Sequence, residues 1–193
     1  MITVILLLSK KSRNLLKPRT ARYDLNSPIL ALSANEEGDQ VVIAGRGILR
    51  ILRVGYDEIA EASILRVPTE HKKHPQYDVK WGTLHQKNTV ATAGTNGTIC
   101  VYDTKDGMLD RQLREHGRQV HKVAFNPADG RLLLSASQDG TIKLWDLREK
   151  KSRLTFVGRA DAVRDVQFNA GNAVEFAAAF DNGTIQVFPF YQS

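Results

Sequence analysis

The chain has 193 residues with 27 basic and 21 acidic side chains, and its single cysteine, Cys100, excludes an intrachain disulfide and any paired-cysteine metal motif. The net charge of +6 lies wholly in the first 22 positions, where Lys10, Lys11, Arg13, Lys17, Arg19 and Arg22 meet no acid. The remainder carries 21 charges of each sign, so the basic pI does not mark the body of the chain as a nucleic-acid binder.

Residues 1–18 form a basic leader whose composition predicts a solvated, disordered arm rather than a nucleic-acid or membrane contact. The apolar run at 2–8 is far shorter than the roughly 20 residues that span a bilayer. Its positive charges follow the run, whereas a signal peptide places them before it. A spare strand or an imprecise start of the reading frame is expected there. Residues 19–25 read as extended and able to serve as an outer strand. From 19 to 193 the chain reads as short strands in four units.

The first unit, about 27–67, has apolar runs at 29–32, 41–44 and 48–51, with Glu36-Glu37 in a turn and Gly45-Arg46-Gly47 between the last two runs. The polar stretch 68–75 is a loop by composition. The second unit, about 75–115, opens on Val79-Lys80-Trp81. The third, 116–158, has runs at 120–125, 132–137, 141–145 and 153–157. In its third run Ile142 and Leu144 alternate with Thr141, Lys143 and Trp145, a strand period of two. The fourth, 159–190, opens on the run at 163–168.

One phrase ties the units together: Asn96-Gly97-Thr98-Ile99, Asp139-Gly140-Thr141-Ile142 and Asn182-Gly183-Thr184-Ile185, with the glycines 43 residues apart both times. Gly47 precedes Gly97 by 50, the surplus falling in the loop at 68–75. Asn-Gly and Asp-Gly predict two-residue hairpin turns with φ > 0 at both central residues. Each unit is then a four-stranded meander of about 40–45 residues, the size of a propeller blade. The fold class is all-β: about four blades of four antiparallel strands. Repetition of both spacing and local sequence argues against a β-sandwich.

These residues resemble WD repeats, most fully in the third unit, with His116, then Val120, Val123 and Phe125, then 135–146. The resemblance implies a buried polar network of His116, Ser135, Asp139 and Trp145. Such buried groups need partners, so the pairing of His116 with Asp139 is structural rather than catalytic. Asn96 and Asn182 replace the turn aspartate, Tyr102 and Phe188 replace the tryptophan, and Arg159 sits near the histidine position of the fourth unit. Those blades are expected to lack the full network. WD-type blades usually number seven, so the resemblance implies a partial, open propeller: a fragment, a truncated gene model or a variant.

The strings 41–46, 91–97, 137–140 and 163–168 are similar to the N-terminal propeller of a family of WD-repeat subunits. These belong to the SEA complex of fungi, the GATOR-type complex of animals, and include the restriction-of-telomere-capping protein. The similarity covers roughly 20–188. It implies a non-enzymatic scaffold in the amino-acid branch of TOR kinase signalling. Such a scaffold is cytoplasmic, reaching the vacuolar or lysosomal membrane through partners. Complete members are longer, with more blades and a zinc-binding RING.

No P-loop, nucleophile elbow or metalloprotease signature is present, and His71, His74, His85, His116 and His121 show no ligand spacing. No catalytic residue, cofactor, metal or small-molecule substrate is expected, and partners are other proteins, subunits of a multiprotein complex. Candidate contact residues are Arg118, Gln119, Asp161 and Arg164, at the start of first strands. An alternative is a substrate receptor of a cullin-based ubiquitin ligase. It would dock through Trp145-Asp146-Leu147-Arg148, and Arg148 would be dispensable for folding.

Overall fold

The structure is a computed structural model that describes residues 21–158 and 161–190. The leader at 1–18, and Arg159, lie outside the described residues. Among the described residues fifteen strands are arranged in four antiparallel sheets, each ordered by sequence. The first holds β1 (Ile29–Ala34), β2 (Gln40–Gly45), β3 (Leu49–Val54) and β4 (Ile59–Ile64). The second holds β5 (Gln76–Trp81), β6 (Thr89–Gly94), β7 (Ile99–Asp103) and β8 (Leu109–Leu113). The third holds β9 (Val120–Phe125), β10 (Leu132–Ser137), β11 (Thr141–Asp146) and β12 (Ser152–Val157). The fourth has three strands among the described residues, β13 (Val163–Phe168), β14 (Glu175–Phe180) and β15 (Ile185–Pro189).

Each sheet is a blade that buries its faces against its neighbours. Val42, Ala44, Leu49 and Ile51 of the first blade meet Val79, Trp81 and Tyr102 of the second. Ala91, Ala93, Ile99 and Val101 of the second meet Val120, Val123 and Phe125 of the third. Between the third and fourth, Leu134, Ile142 and Leu144 meet Val166, Phe176 and Phe180. Phe176 and Phe188 stack there with centroids 5.1 Å apart, and Phe156 meets both rings edge-on. Each such ring pair contributes about 1 kcal/mol beyond its area burial. A middle strand of a blade covered on both sides therefore has no solvent face. This explains why the sequence at 132–134 reads Leu-Leu-Leu with no alternation, and why every residue of β10 is buried.

Outer strands differ. β4 and β12 leave most of their residues exposed or half-buried. The open face of the first blade carries Val41, Ile43 and Leu52, and Tyr23 and Leu25 from the preceding segment pack on it. Residues 21–25 form no strand, so the described part of the expected outer strand acts as a cover instead. On the fourth blade Ile185 and Val187 are 77% and 61% exposed. Their counterparts in the second blade, Ile99 and Val101, are fully covered by the third.

The segment at 68–75 is not simply a loop. It contains a one-turn helix, α1 (Thr69–Lys72), whose His71 is buried. No helix among the described residues is long and apolar enough to cross a membrane.

Candidate functional site

The blade end that carries the Asn-Gly and Asp-Gly turns is built by two kinds of loop. One is the β2–β3, β6–β7, β10–β11 and β14–β15 turn, and the other is the connection leading into the first strand of the next blade. They touch: the Gly97 position faces the backbone carbonyls of His116 and Arg118, and the Gly47 position faces that of Lys72.

The turns differ from the sequence expectation. Gly97, Gly140 and Gly183 have φ of +80°, +81° and +81°, but Asn96, Asp139 and Asn182 have none. Each glycine N–H donates to the carbonyl three residues back, at 3.2 Å for Gly97 on Gly94, 3.2 Å for Gly140 on Ser137 and 3.0 Å for Gly183 on Phe180. This is a three-residue hairpin loop ending in a left-handed glycine, not a two-residue one. The Asn or Asp serves through its side chain instead. Its oxygen accepts from the N–H two residues on, at 3.2 Å for Thr98, 2.9 Å for Thr141 and 3.0 Å for Thr184.

In the third blade the remaining oxygen of Asp139 meets His116 Nδ1 at 2.9 Å. His116 Nε2 lies 2.7 Å from Ser135 Oγ, and Trp145 Nε1 donates to the same oxygen at 2.8 Å. A neutral imidazole satisfies every group in one direction: indole N–H to serine, serine O–H to Nε2, Nδ1–H to carboxylate. Burial holds the His116 pKa below its ordinary value, and the nearby Asp139 offsets this only in part. Burial would push Asp139 upward, but the Thr141 hydroxyl and His116 outweigh it and bring the carboxyl to about 2.

The other blades carry reduced versions that the sequence did not disclose. In the second, Asn96 Nδ2 meets Nδ1 of the buried His71 at 3.3 Å, while Glu70 Oε1 lies 3.1 Å from its Nε2. The surplus residues before the second blade thus deliver a histidine to the turn. Thr92 and Tyr102 stand where the third blade has Ser135 and Trp145, and among the described residues the buried Tyr102 hydroxyl has only the Cys100 thiol beside it as a weak partner. In the fourth blade Asn182 Nδ2 donates to Asp161 Oδ2 at 2.8 Å. An amide at the turn donates where an aspartate would accept, so its partner becomes a carboxylate or an imidazole lone pair.

The candidate contact residues separate into engaged and free. Asp161 is engaged with Asn182. Arg164 makes two bonds to Asp181, the Nη2 one at 2.7 Å, and its Nη1 lies 3.1 Å from His121 Nε2. Gln119 is half-buried, its amide 3.1 Å from His121 Nδ1. Arg118 is exposed and its guanidinium makes no ion pair among the described residues, while its carbonyl accepts from Ser137 Oγ at 3.3 Å. Arg148 sits at the opposite blade end. Its Nε and Nη2 donate to the buried Asp146 at 2.9 and 2.5 Å, and these bonds hold the Asp146 carboxyl at about 2. Arg148 is thus part of the blade's own bonding, contrary to the expectation that folding is indifferent to it. Among the described residues no group of three or more His, Cys, Asp or Glu is placed to hold a metal ion.

Four meandering sheets, the 43-residue repeat and the His–Ser–Asp–Trp network define a WD-repeat propeller segment. Residues 107–146 match the family model of the WD domain, G-beta repeat, so the third unit is a WD repeat. It is 39% identical over 173 residues to the GATOR2 complex protein WDR24 of Danio rerio and 37% over 178 residues to that of Homo sapiens, covering 88% and 90% of this chain. It is 35% identical over 173 residues, 76% of this chain, to Restriction of telomere capping protein 1 of Lachancea thermotolerans. The chain spans 22% of the length of the two WDR24 proteins and 13% of the fungal one.

Proposed function

We propose that this chain is a non-enzymatic protein-interaction scaffold. It serves in a GATOR2- or SEA-type complex that regulates TOR kinase signalling in response to amino acids, at the cytoplasmic face of the vacuole or lysosome. The observation that carries the reading is the similarity across some nine-tenths of the chain to proteins named for the GATOR2 complex. The architecture supports it: carboxylates held well below their ordinary range, such as Asp139 and Asp146, are spent on bonds within the blade. Disrupting the gene in its own cells is expected to blunt the rise in TOR-kinase substrate phosphorylation on amino-acid refeeding. An unchanged response in the disrupted cells refutes the assignment.

A further inference from the structure

At the turn-bearing blade end the charges do not balance. The acids there are engaged: Glu70 with Arg114 at 2.6 Å, Glu115 with Lys143 at 3.1 Å, Asp139 with His116, Asp161 with Asn182, and Asp181 with Arg164. Four cations at the same end are exposed and make no ion pair among the described residues: Arg46, Lys72, Lys73 and Arg118. They occupy successive loops. Arg46 lies in the β2–β3 turn, Lys72 and Lys73 follow in the connection to the second blade, and Arg118 lies in the connection to the third. The Gly47 position meets the Lys72 carbonyl, Asn96 of the second turn meets His71 of the same connection at 3.3 Å, and the Gly97 position meets the Arg118 carbonyl, so these loops form one continuous rim. Inside the rim, Tyr77 is exposed and packs edge-on against His121 at 5.9 Å.

We infer that this rim is a docking surface for an extended acidic segment of a partner protein. The inference rests on the reading of the chain as an interaction scaffold and adds the partner's chemistry. A segment crossing the blades in sequence meets one free cation, then a pair, then another, with an exposed aromatic ring alongside. A nucleic-acid duplex is a poorer match. Its continuous phosphates would also face the carboxylates of Glu70, Asp139 and Asp181, and the body of the chain has no net positive charge to recruit it. Unpaired rim charges of this kind steer association and set its salt dependence.

The test uses the purified full chain and a fluorescein-labelled peptide of alternating glutamate and serine, read by anisotropy. The combined variant Arg46→Ala, Lys72→Ala, Lys73→Ala, Arg118→Ala is expected to bind about tenfold more weakly, with a flatter salt dependence. Neutralising Lys10, Lys11 and Arg13 in the leader is expected to leave the affinity unchanged. Reversing the four rim charges to glutamate should switch the preference to a lysine–serine peptide, which an unfolded variant would not do. Three results overturn the proposal: affinity that follows the leader, equal affinity for duplex DNA or anionic vesicles at the same salt, or no peptide binding. Such a failure leaves complex membership to be decided separately by co-purification.

Discussion

Replacing Ser135 by alanine tests whether the third blade is held by a single hydrogen-bonded relay. The Ser135 hydroxyl is fully buried and joins Trp145 Nε1 at 2.8 Å to His116 Nε2 at 2.7 Å. Its loss strands an indole donor and an imidazole nitrogen, both on fully buried side chains. Each stranded group costs about 1–3 kcal/mol, so Ser135→Ala should destabilise by about 2–6 kcal/mol. Urea unfolding followed by far-ultraviolet circular dichroism measures this and leaves Trp145 free to be varied. In a double-mutant cycle with Trp145→Phe, which removes the donor, the coupling should be about 1–2 kcal/mol. A loss below about 0.5 kcal/mol, or a coupling indistinguishable from zero, refutes the relay, since surface-like substitutions fall in that range.

Acid should weaken the same blade in two steps. Because burial lowers His116 in the folded state, the unfolded chain binds its proton first, and stability falls as pH drops below the unfolded value of 6.5. Asp139, at about 2 when folded against 3.8 unfolded, contributes about 2 kcal/mol above pH 3.8 that is lost as pH falls towards 2. Asp139→Asn should flatten that second limb of the stability–pH profile, and an unchanged profile counts against the assignment. Gly97→Ala and Gly183→Ala share the strain of a left-handed φ, about 1–2 kcal/mol. At Gly97, however, a Cβ would also lie 2.4 Å from the His116 carbonyl oxygen, whereas at Gly183 it meets nothing within 4 Å. Gly97→Ala should therefore be clearly the more damaging in urea melts, and equal losses contradict the packing of turn on following loop. Arg148→Ala should lower the urea midpoint because it leaves the buried Asp146 with the backbone N–H of residue 148 at 3.0 Å and, as its remaining cation, only Arg153 at 3.5 Å. An unchanged midpoint would restore Arg148 as a free surface residue.

The repeat was legible because a left-handed glycine is needed at the same point of every hairpin, so 43-residue spacing survives where other residues drift. The His116 network was legible for a similar reason, since all four of its residues stand at their family positions in one unit. His71 was hidden by the surplus before the second blade, which shifted it relative to its turn and read as polar loop. The pairing of Asp161 was hidden because it lies two residues past the position of the family histidine and is its chemical opposite, a partner that makes sense only beside the donating amide of Asn182. The turn geometry was misread at Asn96, Asp139 and Asn182 because Asn and Asp suit both a left-handed backbone and a side-chain bond to a later N–H. Composition cannot separate the two. Which rim cations are free was illegible, since it depends on pairs such as Arg114–Glu70 that are 44 residues apart.

The most direct test of the scaffold reading is native purification of the tagged full chain, followed by quantitative identification of bound proteins. A scaffold of this complex is expected to recover the other GATOR2- or SEA-type subunits in fixed ratio to the chain. Recovery of the chain without any of them would contradict the scaffold reading.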